Sequence, residues 1–325
     1  MSPPPRVLVA GAAGFVGAQI VRELSSRELE IRTTDCVAKP RTELPSYRPA
    51  DLRNPDQVRP VVDGVDCVIN ASGIAHVFRL DEAAAKTMRE VNGDAAGRLA
   101  RAAVEAGVAH LVQISSVSVY GSPGVPSVDE TFSCNPTGVY EESKYEGELL
   151  SLAAVKGTGT RLTILRPATI YGPGDRGNVA RLVRALDKGR FVWIGDGLNL
   201  KSLLYHEDFA RACVRAALEG TESDIYNISA PAETMHSVVD AIAEALGKRP
   251  PRLFIPAACA RSAAAVAALS PVARTRFQGL RRTLRKWLAH DAYDAGKFVR
   301  RFGDFVQVPL REGMRREVEW HVAHR

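Results

Sequence analysis

The sequence predicts an α/β protein built on a doubly wound parallel sheet, with a smaller, discontinuous lobe in its C-terminal part. Three observations carry this. Short apolar β-branched runs alternate with longer amphipathic stretches over roughly the first half of the chain. The first such run ends in a glycine turn that opens a helical pattern. The alternation then weakens after Arg166-Pro167, where the turn-rich stretch YGPGDRGN, Tyr171 to Asn178, begins.

Taken in order, the runs at Arg6–Ala10, Ile31–Thr34, Cys67–Asn70, His110–Ile114 and Leu162–Leu165 read as buried strands, being short and rich in apolar and β-branched residues. Phe15–Ser26, Asp56–Asp63, Ala83–Ala106 and Tyr140–Val155 read as helices, with apolar residues recurring at three and four. A further helix follows at Val179–Lys188, and a strand at Asp224–Ile228 would return to the sheet. The expected division is therefore a core unit of residues 1–172 with 202–229 returning to it, and a lobe made of 173–201 and 230–325.

Of the 325 residues, 46% are hydrophobic and 25% charged, which argues against disorder, collagen-like repeats and coiled coils. The net charge is +6, and the stretch RTRFQGLRRTLRK from Arg274 to Lys286 carries no acid. Charge alone does not make a nucleic-acid partner: no zinc-finger spacing, RNP-like stretch or basic-leucine pattern accompanies it. The five cysteines are far apart without a Cys-x-x-Cys pair, so neither a disulfide framework nor structural zinc is expected, which suits a reducing cytoplasm. The N-terminus runs directly into an apolar strand with no signal-peptide pattern. Leu253 to Ser270 is the most apolar stretch, but Pro256 and Arg261 interrupt it, so a buried or interfacial helix is expected and no membrane span.

The turn Gly11-Ala-Ala-Gly14-Phe-Val-Gly17 has the spacing of a dinucleotide cradle. Gly11 permits the tight turn, Gly14 lets a pyrophosphate approach the backbone, and Gly17 lets helix pack closely on strand. The free N–H groups of the helix start then face the phosphates. Asp35, ending the second strand, would accept hydrogen bonds from an adenosine ribose and repel a 2′-phosphate, which favours NAD over NADP. With these features the core unit reads as a Rossmann-type NAD-binding domain.

The strand at His110–Ile114 leads into Ser115-Ser116-Val-Ser118-Val-Tyr120-Gly121, and a later helix begins with Tyr140-Glu-Glu-Ser-Lys144. Positions i and i+4 share a helix face, so Tyr140 and Lys144 project together. An ammonium beside a phenol is expected to lower its pKa, giving a general acid/base suited to alcohol and ketone interconversion, with a strand-end serine bonding the same substrate oxygen. Tyr293 to Lys297 repeats the spacing without a serine-bearing strand and is taken as accidental. No G-x-S-x-G elbow, phosphate-loop G-x-x-x-x-G-K-[ST] or H-E-x-x-H is present, and His206-Glu207-Asp208 reads as a helix start rather than a metal site. No metal is expected.

The chain resembles an extended short-chain dehydrogenase/reductase of the NAD-dependent epimerase/dehydratase family. The resemblance rests on Gly11 to Gly17, Asp35, Asp51-Leu52-Arg53, Asn70-Ala71-Ser72-Gly73, Asn92, Ser115 to Gly121, Tyr140 to Lys144, Arg166-Pro167, Tyr171 to Gly174 and Gly195-Asp196-Gly197, in the family's order. It implies that Gly11, Gly14, Phe15, Val16, Gly17, Asp35, Asp51, Leu52, Ala71, Ser72, Asn92, Tyr140, Lys144 and Pro167 bind NAD, with Asp51 and Leu52 at the adenine. Ser116, Tyr140 and Lys144 are implied to be catalytic, Ser116 rather than Ser115 because it stands four before Tyr120. Ser116, Asn178 and Lys201 are the implied substrate contacts, together with Arg282, or a neighbour among Arg281 and Arg285, at the phosphates. Lys201 stands where many relatives carry Arg, and loses the bidentate fork. Val117 and Ser118 follow Ser116 where 4,6-dehydratases of the family carry a carboxylate, so dehydration is disfavoured. The expected reaction is NAD-dependent 4-epimerisation of a nucleotide-diphosphate sugar. The alternative is a 4-ketoreductase, or a dehydrogenase acting on a sugar or another bulky secondary alcohol, steroid-like ones included. The resemblance also implies a homodimer through the Ala83–Ala106 and Tyr140–Val155 helices.

Overall fold

The computed structural model describes residues 4–75, 81–121, 123–259 and 288–325. Seven strands form one wholly parallel sheet: β1 (Arg6–Ala10), β2 (Glu30–Asp35), β3 (Tyr47–Pro49), β4 (Cys67–Asn70), β5 (His110–Ile114), β6 (Arg161–Pro167) and, after four short strands outside it, Asp224–Ile228. Its spatial order runs from Asp224–Ile228 through β6, β5, β4, β1 and β2 to β3. The order reverses at β1, which lies between β2 and β4, and ligands of doubly wound sheets bind in the crevice this switch opens at the strands' carboxyl ends. The doubly wound fold expected from the sequence is the fold observed.

Strand alternation explains the two cores. Val7 and Val9 face one layer with Ile20, Leu24 and Phe209, whereas Leu8 faces the other with Val68, Leu99 and Leu111. The first layer is covered by α1 (Phe15–Leu24) and by the helix His206–Glu219, the second by α2 (Pro55–Val62) and by the long helix after β4. Asn54 caps α2 through Asp56 N at 3.1 Å, with Pro55 in its first turn.

The expected single helix Ala83–Ala106 is instead three pieces: α3 (Glu82–Arg89, capped by Asp81), a π-turn (Glu90–Asp94) and α4 (Ala95–Glu105). α5 (Val139–Val155) packs along this composite helix. The short strands are β7 (Thr169–Tyr171), β8 (Trp193–Ile194), β9 (Leu200–Lys201) and β10 (Leu203–Tyr205), with α6 (Asn178–Asp187) between β7 and β8. α7 (His206–Glu219) and β11 (Asp224–Ile228) follow, then β12 (Glu233–Thr234), α8 (Met235–Ala245), β13 (Phe254–Ile255), α9 (Gly296–Phe302) and α10 (Leu310–Ala323). A third core, containing Tyr171, Val183, Trp193, Val239 and Met314, holds α6, α8 and α10 together.

One stretch departs from the expected division. Phe298, Phe302 and Phe305 lie in the core of the sheet's first layer, Phe298 and Phe302 meeting Tyr226 edge-on at 5.7 and 5.4 Å. Burial of this aromatic cluster draws α9 to β11 and away from the C-terminal lobe.

Candidate active site

The site is built at the carboxyl end of β1. Gly11 adopts φ +78°, a left-handed conformation costly to other residues, and its N–H bonds Thr34 O at 2.9 Å. A Cβ on Gly11 would lie 2.6 Å from Ser72 N, and one on Gly17 2.0 Å from Gly11 O. These two glycines are demanded by the fold itself. Gly14 is not: its Cβ would meet only Gly11 O, at 3.2 Å. Gly14 precedes α1, whose start carries no side-chain cap, so the first-turn N–H groups of Phe15, Val16 and Gly17 have no such acceptor. A bare backbone before an uncapped helix start is the cradle a pyrophosphate needs, and the residues fit a dinucleotide. Asp35 stands at the end of β2, where its carboxylate accepts the Ala13 N–H at 3.1 Å.

Around this cradle, β4 ends in buried Asn70, which accepts Ser72 N at 3.1 Å and donates to Gln113 Oε1 at 2.8 Å. Asn92, in the π-turn, accepts Ile74 N and donates to Ile74 O and Ser143 Oγ, at 2.8 to 3.0 Å. It thus fastens Ile74, at the end of the segment after β4, to α5. Asp51 and Leu52 lie together after β3, Asp51 bordering a cleft of about 560 Å³ with Arg53, Glu90 and Arg98. The Asp51 carboxylate receives Arg53 Nε and Nη2 at 2.7 to 3.1 Å, which holds it below the usual carboxylate range. Leu52 is buried, its carbonyl accepting Arg98. Pro167 is buried at the end of β6.

The sequence motif Ser116, Tyr140 and Lys144 is gathered here. Ser116 begins the 3₁₀ turn Val117–Tyr120, its Oγ accepting Ser118 N at 3.2 Å, and its hydroxyl favours ionisation of the Tyr140 phenol. Lys144 is buried one turn along α5 from Tyr140, its Nζ donating to Ile114 O at 3.1 Å. A Cβ on Gly73 would lie 2.9 Å from that Nζ, so Lys144 faces the segment Asn92 fastens.

The electrostatics differ from the expectation that Lys144 lowers the phenol. Burial pushes the Tyr140 phenol above its usual value, the Ser116 hydroxyl opposing and the Glu141 carboxylate adding to the rise. Burial instead lowers the Lys144 ammonium to about 8, with Glu148 pulling the other way. Glu148 is itself locked by a bidentate pair with Arg166, Nε–Oε1 at 2.9 Å and Nη2–Oε2 at 2.6 Å, all buried. Arg166 also donates to the Tyr120 hydroxyl at 2.9 Å, which donates to Asn227 Oδ1 at 2.9 Å. Tyr140, Lys144 and Glu148 therefore form one stripe at i, i+4 and i+8. Sequence reasoning missed Glu148, although the spacing was there to be read.

The expected substrate contacts are less uniform. Asn178 is exposed in the first turn of α6. The buried group beside it is Asp175, which accepts Gly177 N at 2.7 Å. Lys201 is directed at Ala289 O, 3.0 Å, and Asp291 Oδ2, 3.3 Å. Arg282, with Arg281 and Arg285, lies outside the described residues. His206 starts α7 as expected, but it is buried with neither ring nitrogen hydrogen-bonded among the described residues. Burial lowers its pKa to about 4, so the imidazole is neutral. It packs on Phe15 of the glycine turn, ring centroids 5.5 Å apart.

Fold and site together define an enzyme in which a nucleotide cradle at the sheet's switch point faces a serine, a tyrosine and a lysine. The chain belongs to the NAD dependent epimerase/dehydratase family, whose profile matches residues 7–229, and its cofactor is NAD. It is similar to an N-acetyl-α-D-glucosaminyl-diphospho-ditrans,octacis-undecaprenol 4-epimerase of Escherichia coli O157:H7, 26% identical over 98% of this chain and 96% of that protein. A dTDP-glucose 4,6-dehydratase of Streptomyces griseus is 32% identical over 74% of this chain and 78% of that one. Among solved structures, MoeE5 in complex with UDP-glucose and NAD superposes with a TM-score of 0.75, at 27% identity over 98% of this chain and 99% of that one. Among the described residues no helix is long and apolar enough to cross a membrane.

Proposed function

We infer that this enzyme interconverts C4 epimers of a nucleotide-diphosphate sugar through a transient 4-keto sugar. The observation that carries the reading is buried Lys144, one turn along α5 from Tyr140, with its Nζ on Ile114 O where β5 leads into Ser116, beside an uncapped glycine cradle. NAD, when bound, supplies the hydride acceptor that returns what it takes. The chain's own residues handle the proton. Tyr140 as phenolate takes the proton of the C4 hydroxyl and returns it to the opposite epimer. Ser116 Oγ bonds the same oxygen and holds it in line. Lys144, as ammonium, favours the phenolate once substrate is seated. Val117 and Ser118 put no carboxylate directly after Ser116, which disfavours elimination of water.

In this reading residues 1–172 with 202–229, joined by α9, hold the cofactor; Gly14, the α1 start, Asp35, Asp51, Leu52, Ala71, Ser72, Asn92 and Pro167 line it. The substrate occupies the lobe built from 173–201 and the rest of 230–325, with its diphosphate near Asn178. Lys201 contributes less than the sequence implies, because it already serves Ala289 and Asp291.

A second reading, a ketoreductase or a dehydrogenase of a bulky secondary alcohol, uses the same residues. A 3β-hydroxysteroid dehydrogenase/decarboxylase of Arabidopsis thaliana, 28% identical over 84% of this chain, favours it. Incubating the purified protein with UDP-, GDP- and dTDP-sugars and a polyprenyl-diphospho-sugar, with and without NADH, and reading products by NMR separates the two. Interconversion of two epimers without added cofactor supports the epimerase; stoichiometric consumption of NADH overturns it.

A further inference from the structure

Residues 248–290 contain ten Lys and Arg and no Asp or Glu, more than the chain's whole surplus of six. The described beginning of this stretch shows what the charge surrounds. β13 pairs with β8 at the edge of the C-terminal lobe, and there Leu253, Phe254 and Ile255 are 65, 52 and 39% exposed. Leu198, in the turn that follows β8, is 62% exposed. Three consecutive large apolar side chains facing water are uncommon on a soluble surface and mark a contact.

Beside them runs a shallow groove of about 350 Å³ between the ends of α6 and α8. Leu186, Phe191 and Leu246 lie along it, and Arg190, Arg249 and Arg252 stand exposed at its rim. Of the nearby acids, Asp187 is paired with Lys248, 2.8 Å, and Arg325, 3.0 Å, and Glu244 with Arg311, while exposed Asp196 accepts the Leu198 N–H. The face therefore presents apolar side chains inside a net positive rim.

We propose that this face, centred on Leu253–Ile255 with Arg190, Arg249 and Arg252 at its rim, docks the enzyme on an anionic lipid bilayer. Apolar insertion and a polybasic field are each weak alone, and together they give stable association with an interface. By sequence, residues 260–287 add seven further Lys and Arg and no acid, a charge that favours an anionic partner for this face. The proposal is independent of the reaction assigned above, since docking needs no substrate.

The test is co-sedimentation of the full chain with vesicles of phosphatidylcholine alone and of phosphatidylcholine with phosphatidylglycerol, without sugar nucleotide. Binding to the anionic vesicles only, falling with salt, is expected. Leu253→Ser/Phe254→Ser and, separately, Arg249→Glu/Arg252→Glu should each weaken partitioning about tenfold or more, with melting temperature and retained NAD confirming the fold. Equal binding to neutral vesicles, no binding to anionic ones, or partitioning unaffected by either pair of substitutions would overturn the assignment. So would a soluble dimer, detected by light scattering, that Phe254→Ser dissociates, because the face would then be a protein interface.

Discussion

At the scale of single residues, Lys144 is the most constrained group of the site. It is 7% exposed, burial lowers its ammonium to about 8, and Glu148 one turn further along α5 restrains that fall. Arg166 holds both oxygens of Glu148. Removing Glu148 alone would leave Arg166 buried and unpaired, at a cost of roughly 3–5 kcal/mol, so the informative variant is Glu148→Gln/Arg166→Met. Lys144 should then lose its proton at lower pH. Above its pKa it no longer favours the phenolate, and the alkaline limb of the kcat/KM profile should move down by about one pH unit. A profile superposable on the wild type would remove Glu148 from any positioning role. Tyr140→Phe should lower kcat by about 10²- to 10⁴-fold while NAD is retained; activity unchanged on every substrate that responds would show that another group moves the proton.

At the scale of elements, the site depends on how closely α5 approaches the π-turn and α4. A Cβ on Gly147 would lie 2.3 Å from Asn92 O, and one on Gly97 2.6 Å from Leu150 Cβ. Backbone oxygen does not yield as a flexible side chain would, so Gly147→Ala should push α5 away from Asn92 and cost about 1–3 kcal/mol of stability. A urea midpoint identical to the wild type would contradict this close packing. Such packing also decides what was legible in the sequence. The strands at Arg6–Ala10, Cys67–Asn70 and His110–Ile114 were readable to the residue, because strands buried on both faces are largely apolar runs with sharp ends. The π-turn was not, since an extra residue in a helix leaves the apolar repeat of its neighbours intact. β3 was invisible because three residues with a proline at an edge carry no pattern. At the candidate site, the Gly11–Gly17 turn and the shared helix face of Tyr140 and Lys144 were readable because local spacing sets their geometry. The Arg166–Glu148–Tyr120 network joins three distant segments and could be found only in the fold. The same holds for the capture of Lys201 by Asp291, which comes from 90 residues along the chain.

At the scale of the whole molecule, the last helix closes the lobe around a carboxyl group that has nowhere to ionise comfortably. α10 packs on α8 and α6, Gly313 lying so close to Tyr171 that a Cβ would meet its hydroxyl at 2.3 Å. Glu317, on the same helix, is 1% exposed, and neither of its oxygens is hydrogen-bonded among the described residues. Burial raises its pKa to about 8, the Asp175 carboxylate adding to the rise and Arg184 opposing it. Unfolded, the same side chain titrates near 4.3. Below that value the carboxyl is protonated in both states and the fold has its full stability. As pH rises the unfolded chain ionises first, and stability is lost progressively until Glu317 also ionises near 8, by up to roughly 5 kcal/mol in all. The same Asp175 is the buried residue that orders the start of α6, where Asn178 stands. Glu317→Gln keeps the shape and abolishes the titration, so its unfolding free energy should be flat where the wild type falls. The variant should overtake the wild type at alkaline pH, read by urea unfolding at steps between pH 5 and 9. Parallel curves for the two proteins across that range would mean that Glu317 finds an ionised partner in solution and that α10 closes the lobe without regard to pH.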